Sequence, residues 1–240
     1  MAGRGVGTTS SVPRKTPGAA QAPGYAADVA TRKALPTLVL LVRHGETPTT
    51  GLVLPGRAPG LGLSERGAAQ AQRVAERLVG LQVDALYTSP VERAQLTAAP
   101  TASALRLTPI LDDGLAEADT GDWTGLKLAD LARKPEWRAL QAAPSTFRFP
   151  GGESFTELQA RVLAALARIR DLHPGGVAVC FSHADPIKVA LAHALGTPLD
   201  LHGRIDVGPG SVSAIEFPPT GPPVVRLVNS AHDPLTTLRG

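Results

Sequence analysis

Two histidines in this chain stand where chemistry can be done. His44 follows the apolar run Leu38-Val39-Leu40-Leu41-Val42 and the cation Arg43, and Gly45 comes next. His183 follows Val177-Ala178-Val179-Cys180-Phe181 and Ser182. Each run is long enough for one buried strand and far too short to cross a membrane. The first has no polar alternation, so both its faces should be covered, as in a parallel sheet flanked by helices. Ligands in such sheets bind beyond the carboxyl ends of the strands. Arg43 lies at that end, and Gly45 permits an unusual backbone conformation there. A cation, an imidazole and a glycine at a strand tip point to a phosphate site. His173, His193, His202 and His232 lack this placement and read as surface or packing residues.

Other stretches supply further polar groups. Val83 to Thr88 reads as a strand leading into Ser89-Pro90-Val91-Glu92-Arg93. Ser89 can cap a helix, Pro90 suits its first position, and Glu92 completes a capping box. A helix is therefore predicted from Ser89, its positive end at a strand tip. Arg93, in the first turn, can make a two-pronged contact to phosphate. Pro100 should end or kink this helix. Leu107 to Leu111 reads as a third strand, opening into LAEADTGDWTG, whose candidate proton donors are Glu117, Asp119 and Asp122. After His183, Asp185 as N-cap and Pro186 at the first turn predict a helix that Gly196 ends.

The positioning elements follow from pattern. Ser64 caps a helix whose apolar face is Ala71, Val74, Ala75 and Leu78. Ser154 and Glu157 form a capping box before a helix with Phe155, Leu158, Val162, Leu166 and Ile169 on one face. Residues 126–153 hold a short helix at Pro135-Glu136-Trp137-Arg138 and should cover the pocket and set specificity. Lys134, Arg138 and Arg148 are available there for a second anionic group, though solvated surface charge is the simpler account of each. Trp123 reads as a packing anchor. Ser211–Phe217 and Val224–Val228 finish as strands, the first at an antiparallel edge. The expected architecture is a three-layer α/β/α fold with a mostly parallel sheet. Residues 1–36 read as a disordered Gly/Ala/Pro-rich extension, 37–229 as the catalytic domain, and 230–240 as a loose tail.

Composition narrows the function. The formal net charge is +3, but residues 1–33 carry five basic residues and one acid. The remainder holds 19 basic and 20 acidic residues, so a nucleic-acid-binding domain is not expected. The single cysteine, Cys180, cannot form an intrachain disulfide and fits a reducing, cytoplasmic setting. No apolar segment approaches membrane-span length. No cluster of ligands at metal spacing is visible in the sequence, so no metal or other cofactor is expected.

The motif LVRHGET resembles the signature of the histidine phosphatase superfamily, the phosphoglycerate-mutase-like proteins. Ser89-Pro90-x-x-Arg93-Ala94 is similar to that family's Ser-Pro-x-x-Arg-Ala. Leu115, Glu117, Gly121, Trp123 and Gly125 fall on its Leu-x-Glu, Gly, Trp, Gly pattern, and Ser182-His183 on its Ser-His. The resemblance runs from about Leu38 to Asn229. It implies that His44 attacks phosphorus and becomes phosphorylated, and it singles out Glu117 as the proton donor. Gly56-Arg57 matches a Gly-Arg pair, making Arg57 a candidate substrate contact with Gly45. Thr50 stands where the family often has asparagine, and Ala184 where it more often has glycine.

On that resemblance a phosphate dianion would be held by Arg43, Arg93 and protonated His183. His44 must be neutral to attack, with Nδ1 bonded to a backbone carbonyl. Glu117 would protonate the leaving oxygen and later deprotonate water. The short path from Glu117 to Trp123 is similar to the phosphatases, so hydrolysis of a small phosphorylated metabolite is the first expectation. Mutase-type phosphotransfer is the alternative. A phosphate-binding protein with little turnover, and a protein-phosphohistidine phosphatase, stay open. Oligomeric state is not legible.

Overall fold

The computed structural model describes residues 1–3 and 34–231. The expected extension over residues 1–36 and tail over 230–240 therefore lie largely outside the described residues. Six strands form one sheet: β1 (Thr37–Arg43), β2 (Ala85–Thr88), β3 (Ile110–Leu111), β4 (Val177–Ser182), β5 (Val212–Phe217) and β6 (Val224–Ser230), in the order β3-β2-β4-β1-β5-β6. The helices are α1 (Glu65–Leu78), α2 (Glu92–Leu105), α3 (Leu128–Leu131), α4 (Pro135–Ala142), α5 (Phe155–Leu172) and α6 (Ala184–Ala194).

The two apolar runs become the central strands. β1 pairs in parallel with β4, and β4 in parallel with β2. Alternate side chains of β1 enter separate cores. Val39 and Leu41 pack with Leu158, Leu166 and Ile169 of α5 and Leu191 of α6. Leu38, Leu40 and Val42 pack with Val74 and Leu78 of α1 and Ala98 of α2. A strand buried on both faces cannot afford polar alternation, which is why its sequence shows none. The result is the expected α/β class, with helices on both faces of a mixed sheet.

β5 alone opposes its neighbours, running antiparallel to both β1 and β6. It lies one strand in from the edge, not at it; β6 takes the edge and extends to Ser230, whose carbonyl accepts from Arg77 of α1 at 3.0 Å. β3 is two residues long, not five, because it pairs only with β2 and leaves Ile110 and Leu111 exposed. Among the described residues no helix is long and apolar enough to cross a membrane.

Helix starts match where a side chain caps them. Ser64 accepts from the Gly67 N–H at 3.1 Å, and Ser154 with Glu157 forms the reciprocal box. Two starts differ. α2 begins at Glu92, because the Ser89 hydroxyl accepts from Val91 N–H and turns the chain before the helix opens. α6 begins at Ala184 with His183, not Asp185, at the cap position. Pro100 neither ends nor breaks α2, which runs to Leu105. The carbonyl it leaves without a helical donor, that of Leu96, belongs to a turn whose side chain is exposed.

Candidate active site

Strand register builds the site. Arg43 is level with Ser182 in the β1–β4 ladder, and His44 N–H donates to the Ser182 carbonyl at 2.9 Å. The two histidines therefore leave adjacent strand tips together, with ring centroids 5.2 Å apart. The tip of β2 is alongside, where Ser89 N–H donates to the Phe181 carbonyl. The Ser89 hydroxyl lies 2.7 Å from His183 Nε2, so Ser89 anchors the second imidazole as well as turning the chain.

His44 is 4% exposed, and its Nδ1 lies 2.7 Å from the Gly45 carbonyl. A carbonyl only accepts, so the proton sits on Nδ1 and the lone pair on Nε2. Arg93 Nε donates to that Nε2 at 3.2 Å. Burial, then the adjacent Arg93 and Arg43 charges, outweigh the Gly45 carbonyl and push the His44 pKa down to about 3. The imidazole is a neutral base throughout the physiological range.

Arg93 has no exposed surface, an unusual state for a guanidinium. Its Nη2 donates to the Gly56 carbonyl at 2.8 Å and stands 3.8 Å from Glu117 Oε2. Arg43 donates through Nη1 to the Val207 carbonyl at 2.6 Å. Among the described residues, Arg43 Nε, Arg93 Nη1 and His183 Nδ1 are buried without a hydrogen-bond partner. Each such orphan costs about 1–3 kcal/mol, more when charged, unless a ligand satisfies it. An anion with several acceptor oxygens would satisfy all three.

Glu117 completes the basin, with Oε2 3.9 Å from His183 Nδ1. Burial and then the Asp185 charge raise its pKa to about 7, against the opposing pull of Arg93, the Ala118 N–H and Arg43. It can hold a proton near neutrality and give it up, as a general acid must. His183 differs from expectation: burial first, then Arg93 and His44, depress its pKa well below the ordinary 6.5. The unliganded site thus holds it neutral, and only an arriving anion would favour its protonated form.

One ligand atom each of His44, Glu117 and His183 lies within 4.8 Å of the others, a convergence the sequence did not disclose. Such a set could hold a metal ion, but the Arg93 and Arg43 charges beside His44 favour an anion over a cation there.

The remaining expected contacts have other duties. Arg57 donates to the Glu117 carbonyl at 2.8 Å and to Glu153 at 3.2 Å. Thr50 accepts from the Thr47 N–H at 2.9 Å and staples the loop after His44. Gly45 is not in the left-handed region; a Cβ there would stand 2.4 Å from the Gly67 carbonyl of α1, so close helix approach requires the glycine. Ala184 opens α6, and its backbone does not require a glycine either. Arg148 pairs with Glu157 and the Gly152 carbonyl. Trp123 is buried against Trp137, Phe147 and Phe149, as an anchor should be.

Sequence reasoning missed Glu153 and Arg161. The Glu153 carboxylate accepts from Asp119 N–H at 2.8 Å and from Arg161 at 2.7 and 2.9 Å. Arg161 also donates to the Glu117 carbonyl at 2.9 Å. These groups hold the Glu117 loop against α5. A lone acid before a helix cap and a basic residue within the helix carry no local signal for that role.

A family model described as histidine phosphatase superfamily (branch 1) matches residues 39–230. A bifunctional protein of Mycobacterium tuberculosis is 36% identical over 196 residues, which is 81% of this chain and 54% of that protein. The chain spans about half the length of that relative. Phosphoserine phosphatase 1 of Hydrogenobacter thermophilus is 32% identical over 199 residues, covering 81% of this chain and 93% of its own. The solved structure of a mycobacterial glucosyl-3-phosphoglycerate phosphatase has a TM-score of 0.72 at 25% identity, covering 80% of this chain and 98% of that one. By its sequence and by its fold, the chain belongs to branch 1 of the histidine phosphatase superfamily.

Proposed function

We propose that this protein is a metal-independent phosphomonoester hydrolase that works through a phosphohistidine intermediate. The observation that carries the reading is the Nδ1 bond of His44 to the Gly45 carbonyl, which leaves Nε2 as a neutral nucleophile beside Arg93. Two of the relatives named above are, by name, a phosphoserine phosphatase and a glucosyl-3-phosphoglycerate phosphatase, which supports a small phosphorylated substrate. A cytoplasmic location, with no nucleic-acid or membrane partner, belongs to the same proposal.

In the first step His44 Nε2 forms a bond to phosphorus as the ester P–O bond breaks. Glu117 gives its proton to the departing alcohol oxygen. Arg43, Arg93 and His183 stabilise the equatorial oxygens of the transferred group. In the second step a water oxygen attacks phosphorus, the N–P bond breaks, and Glu117 takes the water's proton. His44 and Glu117 then stand as they began.

The test is phosphate release from p-nitrophenyl phosphate and small natural phosphomonoesters, with excess chelator, for the wild type and His44→Ala. Chelator-resistant turnover that falls by about 10³-fold or more in the variant is expected. The rate should decline above a pH near 7, as Glu117 loses the proton the leaving group needs. Turnover that survives His44→Ala would refute the mechanism. Isomerisation of a phosphoglycerate faster than its hydrolysis would replace hydrolysis with phosphotransfer.

A further inference from the structure

The two ring nitrogens of His183 have unlike surroundings. Nε2 lies 2.7 Å from the Ser89 hydroxyl, while Nδ1 is buried without a hydrogen-bond partner, 3.9 Å from Glu117 Oε2. Which nitrogen carries the proton decides whether the ring offers a bound anion a donor or a lone pair. Ser89 is itself held from two sides. It has no exposed surface, its N–H donates to the Phe181 carbonyl at 2.9 Å, and its hydroxyl oxygen accepts from the Val91 N–H at 3.1 Å.

The available protons leave one arrangement. A hydroxyl has one proton to give and can accept two bonds. Among the described residues, Val91 N–H and His183 Nε2 are the groups that bond to Ser89 Oγ. The Val91 N–H can only donate, so the hydroxyl proton has one acceptor in reach, the His183 ring. If Nε2 carried a proton as well, that buried hydroxyl proton would have no acceptor, at a cost of about 1–3 kcal/mol. The bare nitrogen is therefore Nε2, and the ring proton sits on Nδ1. Burial, and then the neighbouring Arg93, His44, Arg161 and Arg43, keep the ring from taking a second proton. Glu117 is the acid that faces it, and it stands beyond hydrogen-bond reach. A neutral ring held in this way already presents an N–H to an anion, without the second proton that the family resemblance implies.

Resting on the hydrolase reading above, we propose that Ser89 is a positioning residue of the reaction: its hydroxyl donates to His183 Nε2 and so holds the neutral imidazole in the tautomer whose Nδ1–H meets a phosphoryl oxygen. Arg43 and Arg93 supply the positive charge, and His183 adds a directional bond that needs no protonation step. In Ser89→Ala the ring loses this constraint. A proton on Nε2 then turns a lone pair toward the anion, and repulsion replaces attraction.

Nitrogen-15 NMR of the full chain at about pH 7 reads the tautomer directly, with the His183 ring identified by its absence in His183→Gln. The wild type should show a protonated Nδ1 and a bare Nε2. Ser89→Ala should move protonation toward Nε2, and Ser89→Thr, which keeps the hydroxyl, should resemble the wild type. The dissociation constant for inorganic phosphate should rise about 10-fold or more in Ser89→Ala, the scale of one charge-assisted hydrogen bond, and Ser89→Thr should recover most of that loss. A proton on Nε2, or on both nitrogens, in the wild type would overturn the proposal. So would a Ser89→Ala protein that binds phosphate as the wild type does, or a Ser89→Thr protein that binds as poorly as Ser89→Ala while melting at the wild-type temperature. Should either variant unfold, the wild-type spectrum still decides. Neither measurement uses turnover, so a wild type that hydrolyses nothing refutes the hydrolase reading, while the spectrum and the phosphate affinity still judge Ser89.

Discussion

Glu117→Gln should make the protein more stable and nearly inactive, and the gain should depend on pH in a defined way. The folded state raises the Glu117 pKa from an ordinary 4.5 to about 7, first by burial and next by the charge of Asp185. The sign follows from proton counting. Between those two values the unfolded chain has released the proton and the folded protein still holds it, so wild-type stability falls as pH rises. Each pH unit costs about 1.4 kcal/mol, and the interval from 4.5 to about 7 gives about 3 kcal/mol. Glutamine does not titrate and is close in shape to the neutral acid. The two proteins should therefore match near pH 4, separate through the interval, and differ by about 3 kcal/mol above it. For a domain of this size that is a shift of roughly 6–12 °C in Tm. Urea unfolding at pH 4 and pH 8 supplies the double difference, in which groups common to both proteins cancel. Turnover measured alongside should drop about 10²–10⁴-fold. A stability difference that does not grow between pH 4 and pH 8 would refute the buried-acid argument, whatever the activity shows.

Two other expectations are independent of that charge. Glu153→Gln removes the carboxylate shared by Arg161, Arg57 and the Asp119 N–H; discounting the partly exposed Arg57, it should cost about 2–3 kcal/mol by denaturant unfolding and lower kcat more than it raises KM. Equal effects on kcat and stability in Arg148→Ala, whose ion pair lies on the exposed side, would undermine that assignment. Gly45→Ala forces a Cβ to within 2.4 Å of the Gly67 carbonyl, so about 1–3 kcal/mol of stability and most activity should be lost together, as thermal melts and phosphate release would show.

The parts of the site that were legible in the chain share a physical cause. His44 and His183 could be placed because each ends an apolar run buried on both faces, and that burial is written directly into residue type. Arg93 and Glu117 were reached through motif resemblance, and their burial in one basin became visible only in three dimensions. Arg57 shows what spacing cannot say. Its guanidinium serves a backbone carbonyl 60 positions away, and a carbonyl leaves no trace in the sequence. Arg161 was hidden for the same reason. The late start of α2 turned on a hydroxyl choosing between Val91 N–H and a true capping geometry, a competition among nearby donors that Ser-Pro alone does not decide.

The placement of β1 has a consequence for how the molecule must assemble. Although it is the first of the described strands, its ladder partners are β4 and β5: Leu38 is level with Val177 on one side and Thr37 with Phe217 on the other. Among the described residues, no strand that lies between β1 and β4 in the chain pairs with it. The nucleophile's strand therefore waits, unpaired and apolar, until residues from the last third of the chain arrive, and closing that long loop is entropically slow. During synthesis the site cannot be completed before β4 has emerged. A ribosome-bound fragment that stops before β4 would hold His44 in sequence while having no active site in space.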